Sequence, residues 1–211
     1  MPLEPKIKRT IALLDGQNLF YSAKEAFGYS YPNYDPLLLA QRVCESHSWK
    51  LEQVRFYTGI PDAQVSPLWH TFWVRKLAAM GSRGAWTFSR PLRYRNETAR
   101  LPDGSETAVL VGREKGVDVR LALDVVRLAR SAALDVALIF SQDQDLSEVA
   151  DEVRAISESE GRWIKVACAF PASPTATNKR GINGTEWIGL TRELYDACLD
   201  RNDYRSAEDE A

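Results

Sequence analysis

Ile139-Phe140-Ser141-Gln142-Asp143-Gln144-Asp145 joins an apolar run to a loop carrying two carboxylates. The run that leads into it, Asp135 to Phe140, is short and apolar at successive positions, the pattern of a strand buried on both faces. The chain opens in the same way: a strand from Arg9 to Leu14 contains Ile11-Ala12-Leu13-Leu14 and ends against Asp15. Further strands are predicted at Val54 to Thr58, Trp86 to Ser89 and Trp163 to Phe170.

Helices are predicted between these strands, at Gln17 to Phe27, Leu37 to Ser46, Pro67 to Met80, Val117 to Ser131 and Leu146 to Ser159. Asp35-Pro36 places a capping residue before a proline at the first helical position. Gly81 closes the third helix. Arg93 to Arg113 reads as a hairpin turning at Pro102-Asp103-Gly104. Phe170 to Gly184 reads as a loop, followed by a terminal helix, Thr191 to Leu199, and a polar tail expected to fray. Strands alternating with helices give an α/β fold with a central parallel sheet of about five strands. Right-handed crossovers make it a three-layer α/β/α sandwich. Residues 1–200 are expected to form one domain, with a core at 9–170, a loop and helix at 171–200 and a tail at 201–211.

Bulk properties narrow the function. The chain has 211 residues, 45% hydrophobic, with 27 basic and 29 acidic side chains and a net charge of −2. That balance argues against a domain basic over its whole surface, so any nucleic-acid contact must be a local patch. No run approaches the roughly 18 apolar residues that cross a bilayer. The N-terminus carries no leader pattern, which points to the cytoplasm. Cys44, Cys168 and Cys198 are far apart and sit among apolar neighbours, so buried reduced thiols are expected. His47 and His70 lack a ligand-spaced partner.

The acidic residues carry the chemistry. Asp15 follows the first strand, and Asp143 and Asp145 follow the fourth parallel one. Such strand ends lie on the carboxyl edge of the sheet, where open α/β folds bind ligands. Helices run back against the strands, so Asp118, in the first turn of its helix, reaches the same edge. If the first and fourth strands are neighbours, the four carboxylates meet. They then repel one another and must hold protons, stand apart or share a cation. An all-oxygen set suits Mg²⁺ or Mn²⁺, which can polarise a phosphoryl oxygen or activate water. Each aspartate taken singly could also be only a cap or turn anchor. Asn18 and Ser141 are placed to position water or phosphate, or to satisfy their own loops. Arg120, Asp124 and Arg127 fall at i, i+4 and i+7 and read as a solvated ion-pair stripe.

Three segments together resemble the NYN family, nuclease domains related to PIN and FLAP nucleases, in its LabA-like (DUF88) branch. They are Leu14-Asp15-Gly16-Gln17-Asn18-Leu19, Glu114-Lys115-Gly116-Val117-Asp118-Val119 and Ser141-Gln142-Asp143-Gln144-Asp145. They are similar to the family's D-G-x-N, K-G-V-D and S-x-D-x-D signatures, in the family's order, across roughly residues 9–170. The resemblance implies a PIN-like strand order 3-2-1-4-5. It also implies metal-dependent ribonuclease chemistry with Asp15, Asp118, Asp143 and Asp145 as the acidic set. The loop more often carries glycine where Gln142 and Gln144 stand here; larger side chains there would narrow the pocket or touch substrate.

RNA, single-stranded or structured, is the expected partner. Arg93, Arg95 and Tyr94 on the hairpin could grip its backbone and stack a base, and Lys115 is placed for a phosphate. Glu97, Asp103, Glu106 and Glu114 dilute that patch. Phe20, Tyr21, Phe27, Tyr29, Tyr31 and Tyr34 are dense, and an exposed Tyr29–Tyr31 pair could stack bases or meet a second copy in a homo-oligomer. The rival reading is a non-catalytic RNA- or nucleotide-binding module that keeps the acidic pocket. A metal-ion adhesion site wants D-x-S-x-S after the first strand, and a haloacid-type phosphatase wants a second aspartate where Gln17 stands.

Overall fold

The computed structural model describes residues 2–205. A six-stranded parallel sheet forms its middle layer. The strands are β1 (Arg9–Asp15), β2 (Lys50–Ile60), β3 (Trp86–Pro91), β6 (Val136–Phe140), β7 (Lys165–Pro171) and β8 (Glu186–Leu190). Their order is β3-β2-β1-β6-β7-β8. Counting parallel strands alone, this is 3-2-1-4-5 with one strand added at the edge. The added strand, β8, lies in the stretch that follows the expected loop. With only five residues, two of them buried, it carries no long apolar run to betray it.

The alternation of β1 explains the layers. Ala12 and Leu14 join one core with helices α1 (Gly16–Phe27), α2 (Pro36–Ser46) and α3 (Pro67–Ser82). Ile11 and Leu13 point the other way, into a second core with α4 (Val117–Arg130) and α5 (Ser147–Ser159). Both faces are covered, which is why β6 is buried at every position. The expected cap at Asp35 is present, its carboxylate accepting from the Leu37 and Leu38 amides ahead of α2.

The remaining strands, β4 (Arg93–Arg100) and β5 (Glu106–Arg113), pair as the expected antiparallel hairpin outside the main sheet. The last helix, α6 (Arg192–Asp196), is shorter than expected. The start of the predicted frayed tail is packed instead: Tyr204 meets Phe72 edge-on, and Arg205 lies 3.6 Å over the Tyr31 ring. Residues 206–211, the rest of that tail, lie outside the described residues. Among the described residues, no helix is long and apolar enough to cross a membrane.

Two ionic groups contradict the expectation that charge stays in solvent. Asp124 is buried, not solvated: it accepts from the Tyr57 hydroxyl and from Arg120 Nε, each at 3.0 Å, with Arg55 at 3.6 Å. Lys76 on α3 is 1% exposed and donates to the Tyr34 carbonyl (2.7 Å) and to Asp200 Oδ2 (3.3 Å).

Candidate active site

The register between β1 and β6 pairs Leu14 with Phe140, so the next residues, Asp15 and Ser141, stand side by side at the carboxyl edge. From β1 the chain order runs to β2 on one side and to β6 on the other, so this edge is a switch point. Gly16 follows because nothing larger fits: a Cβ there would lie 2.5 Å from Phe56 Cζ and 3.1 Å from the Tyr57 carbonyl oxygen.

Hydrogen bonds fix the two loops to each other. Asp15 Oδ1 accepts the Asn18 amide (3.0 Å) and caps α1, while Ser141 Oγ donates to Asp15 Oδ2 (3.4 Å). Ser141 Oγ also accepts the Asp143 backbone amide (3.1 Å), so one hydroxyl joins the Asp15 carboxylate to the backbone of the Asp143 loop. The Asn18 side-chain oxygen takes the Gln142 amide at 2.8 Å. Asn18 and Ser141 therefore orient the acidic residues, whatever else they touch.

The cleft above them is about 880 Å³ and is lined by Asp15, Asn18, Glu114, Lys115, Asp118 and Asp143, among others. Asp118 arrives on the first turn of α4, which Gly116 starts from a left-handed φ of +74°. Three of the four predicted aspartates thus share one cleft. Asp145 does not join them. It is exposed on a single 3₁₀ turn, Gln144–Leu146, where its amide donates to Asp143 Oδ1 at 3.0 Å. Asp143, three residues beyond the strand end, caps this turn, and Asp145 is left exposed on it.

Glu114 takes the fourth place; from sequence alone it reads only as a charge diluting the hairpin's basic patch. Its carboxylate accepts the Gly59 amide at the end of β2. Burial, then the charges of Asp15 and Asp118, push its carboxyl up to about 7, against the Gly59 bond. Asp15, 5% exposed, is pushed up to about 6 by burial first and then by Asp143 and Asp118, while the bonds from Asn18 and Ser141 oppose the rise. At Asp15 and Glu114 burial is the largest cause of the rise, and neighbouring carboxylates add to it.

Of the other sequence candidates, Lys115 lines the cleft and is exposed. Arg93 and Arg95 do not line it. Arg95 is paired with Glu97 at 2.7 Å, and Glu97 also holds Arg113, the hairpin arginine that does reach the cleft. Two of the hairpin's four arginines are thus paired with one carboxylate. Gln142 lines the cleft, Gln144 does not, and neither side chain stands free. Gln142 Nε2 donates to the Arg180 carbonyl (2.9 Å), and Gln144 Nε2 donates to that of Gly181 (2.9 Å). These amides tie the acidic loop to the segment before β8. Cys168 lies buried beneath, donating to the Ser141 carbonyl at 2.9 Å, and Cys44 and Cys198 are buried and free as expected.

The donor set is hard and all-oxygen, which fits a divalent ion of the Mg²⁺ or Mn²⁺ kind. Among the described residues no three His, Cys, Asp or Glu side chains gather closely enough to hold one ion together. Mg²⁺ commonly takes only one or two protein carboxylates and completes its shell with water and substrate phosphate, so the residues present still fit it.

Comparison with known proteins agrees with this architecture. A protein of unknown function from Vibrio parahaemolyticus superposes with a TM-score of 0.53 at 18% identity, covering 89% of this chain and 96% of its own. MurG of Acinetobacter baumannii reaches a TM-score of only 0.34 at 9% identity, covering 87% of this chain and 45% of its own. No curated protein sequence matches the chain. The family model described as NYN domain matches residues 9–176, a span that takes in all three acidic segments. The chain therefore belongs to the NYN domain family, within the PIN-like nuclease superfamily.

Proposed function

We propose that the chain is a metal-dependent ribonuclease that hydrolyses RNA phosphodiester bonds in the cleft between β1, β6 and α4. The observation that carries this reading is the union of Asp15, Glu114, Asp118 and Asp143, from three distant segments, in one solvent-open cleft at the carboxyl edge. Asp15 and Asp143, linked through Ser141, are the residues that would hold the ion, with Asp118 and Glu114 beside them. Such an ion supplies stabilisation of charge on a phosphoryl oxygen and acidifies water.

The chain's own groups do the rest. Ser141 and the Asn18 amide orient the Asp15 carboxylate, Ser141 also holds the Asp143 backbone, and the Asp145 amide orients the Asp143 carboxylate. Lys115 at the rim offers an ammonium to an incoming phosphate, which offsets the approach of a polyanion to an acidic cleft. The glutamine ties to the 178–183 segment hold the loop of Asp143 in place before substrate arrives.

One observation favours a second reading, a nucleic-acid-binding module without turnover: no three candidate ligands among the described residues converge on one point. Cleavage of a fluorescent oligoribonucleotide panel in Mg²⁺, Mn²⁺ or EDTA separates the two. The nuclease reading expects cleavage by wild type with either cation and none in EDTA. Asp143→Asn should lower the rate by roughly 100-fold, the scale of a few kcal/mol of charge stabilisation. Binding with no cleavage in any cation favours the module, and an undiminished Asp143→Asn removes that residue from the chemistry.

A further inference from the structure

A second cavity, about 310 Å³, opens beside the acidic cleft, at the carboxyl ends of β1 and β2. Its character is opposite to that of the cleft. Phe20 and Tyr21 from α1, Trp69 and Trp73 from α3, and Leu92 form its walls, and no acidic side chain lines it. Its size lies at the lower end for ligand sites, roughly 300–1,000 Å³, so it suits one planar group and not a paired helix. Thr58 and Gln17 add polar atoms at its floor and edge.

The two cavities adjoin along α1. Gln17 and Tyr21 line both, and Lys24 lines the aromatic one. These three fall at i, i+4 and i+7, so they form one stripe of the helix running from the acidic cleft along the mouth of the aromatic pocket. A polyanionic strand with a phosphate at the cleft would therefore bring its neighbouring nucleotide to the pocket, with Lys24 available for the next phosphate.

We propose that this pocket receives one unstacked nucleobase of the strand whose phosphate occupies the cleft, which makes the substrate single-stranded or looped nucleic acid. Every base has a π-face, and aromatic walls take it regardless of sequence. A base in a duplex must first be unpaired and unstacked, at a cost of a few kcal/mol that a single strand or loop is largely spared. The assignment moves base stacking away from the Tyr29–Tyr31 pair. Tyr29 is already stacked on Tyr195 at 5.3 Å, and Tyr31 is covered by Arg205. The inference rests on the nuclease reading for the phosphate in the cleft, but its test does not require turnover.

The test uses an oligoribonucleotide with one 2-aminopurine, placed at successive positions and bound to Asp143→Asn protein in Mg²⁺. Fluorescence is expected to fall several-fold at one position, where the base enters the pocket. Tyr21→Ala and Trp69→Ala, added singly to that background, should restore the signal and weaken binding by about 5- to 150-fold, the range for one stacked base. Tyr21 is 56% exposed, so its truncation leaves the fold intact. Equal fluorescence at every position, or a fall that survives both substitutions, overturns the pocket. Cleavage by wild type without positional quenching overturns the pocket alone. Positional quenching without cleavage in Mg²⁺ or Mn²⁺ upholds the pocket and overturns the nuclease reading.

Discussion

Asp15→Asn is expected to make the chelator-treated protein more stable at pH 8, by roughly 3 kcal/mol. In the unfolded chain Asp15 loses its proton near 3.8; in the folded protein burial, Asp143 and Asp118 hold that loss back to about 6. Between those values the folded state binds more proton than the unfolded one. Its stability therefore declines as pH rises through that window and stays at the lower level above it. Asparagine carries no charge to desolvate, and its side-chain oxygen can still accept the Asn18 amide as a helix cap. Urea unfolding of both proteins in EDTA checks this. The advantage of Asp15→Asn should be under ~1 kcal/mol at pH 4 and grow to the full value by pH 8. A variant equal to wild type at every pH would mean that Asp15 is not strained in the metal-free protein. A stabilising loss of a charged residue is the mark of a site kept for function at the expense of stability.

Lys76→Met is expected to do the reverse, costing about 3–5 kcal/mol, the usual penalty for removing one member of a buried ion pair. The Lys76 ammonium is the donor for both the Tyr34 carbonyl and Asp200, whose side chain is 7% exposed. It also lies within 6 Å of the Tyr34, Phe72 and Tyr204 rings. Its position makes it a clasp. Residues 198–200 are pinned to 33–35 by the Asp35–Cys198 and Asp200–Asn33 backbone bonds, and Lys76 ties both segments to α3. Methionine is close in length and fills the space, so the loss should come from the stranded carboxylate and not from a void. Adding Asp200→Leu to Lys76→Met should then recover much of the loss, because an apolar pair of similar volume is often as stable as the ionic one. A single substitution costing under ~1 kcal/mol in urea would show the pair to be solvated.

The sequence made the acidic strand ends legible for a simple reason. Leu14-Asp15 and Phe140-Ser141 each place a polar residue directly after a doubly buried strand, and parallel register does the rest. Asp118 was legible because helix direction is fixed once the sheet is parallel. Asp145 misled because spacing in a loop does not set direction, and the cap from Asp143 turned it outward. Glu114 stayed hidden among hairpin charges, since its backbone partner, the Gly59 amide, lies 55 residues away. Asp124 and Lys76 were hidden for the same cause: a charged residue on a helix reads as solvated until partners from other elements close over it. The glutamines of the acidic loop could be seen as departures, but their carbonyl partners at 178–181 belong to a segment without any periodic signal.

The proposed chemistry requires that the cleft carboxylates bind a divalent cation in common. Calorimetric titration of Mn²⁺ into wild type, Asp15→Asn and Asp143→Asn at pH 7.5 tests it without depending on any substrate. Wild type should bind saturably and each variant at least ~10-fold more weakly, because one of few protein ligands is removed. No binding by wild type, or the same isotherm from all three proteins, contradicts it.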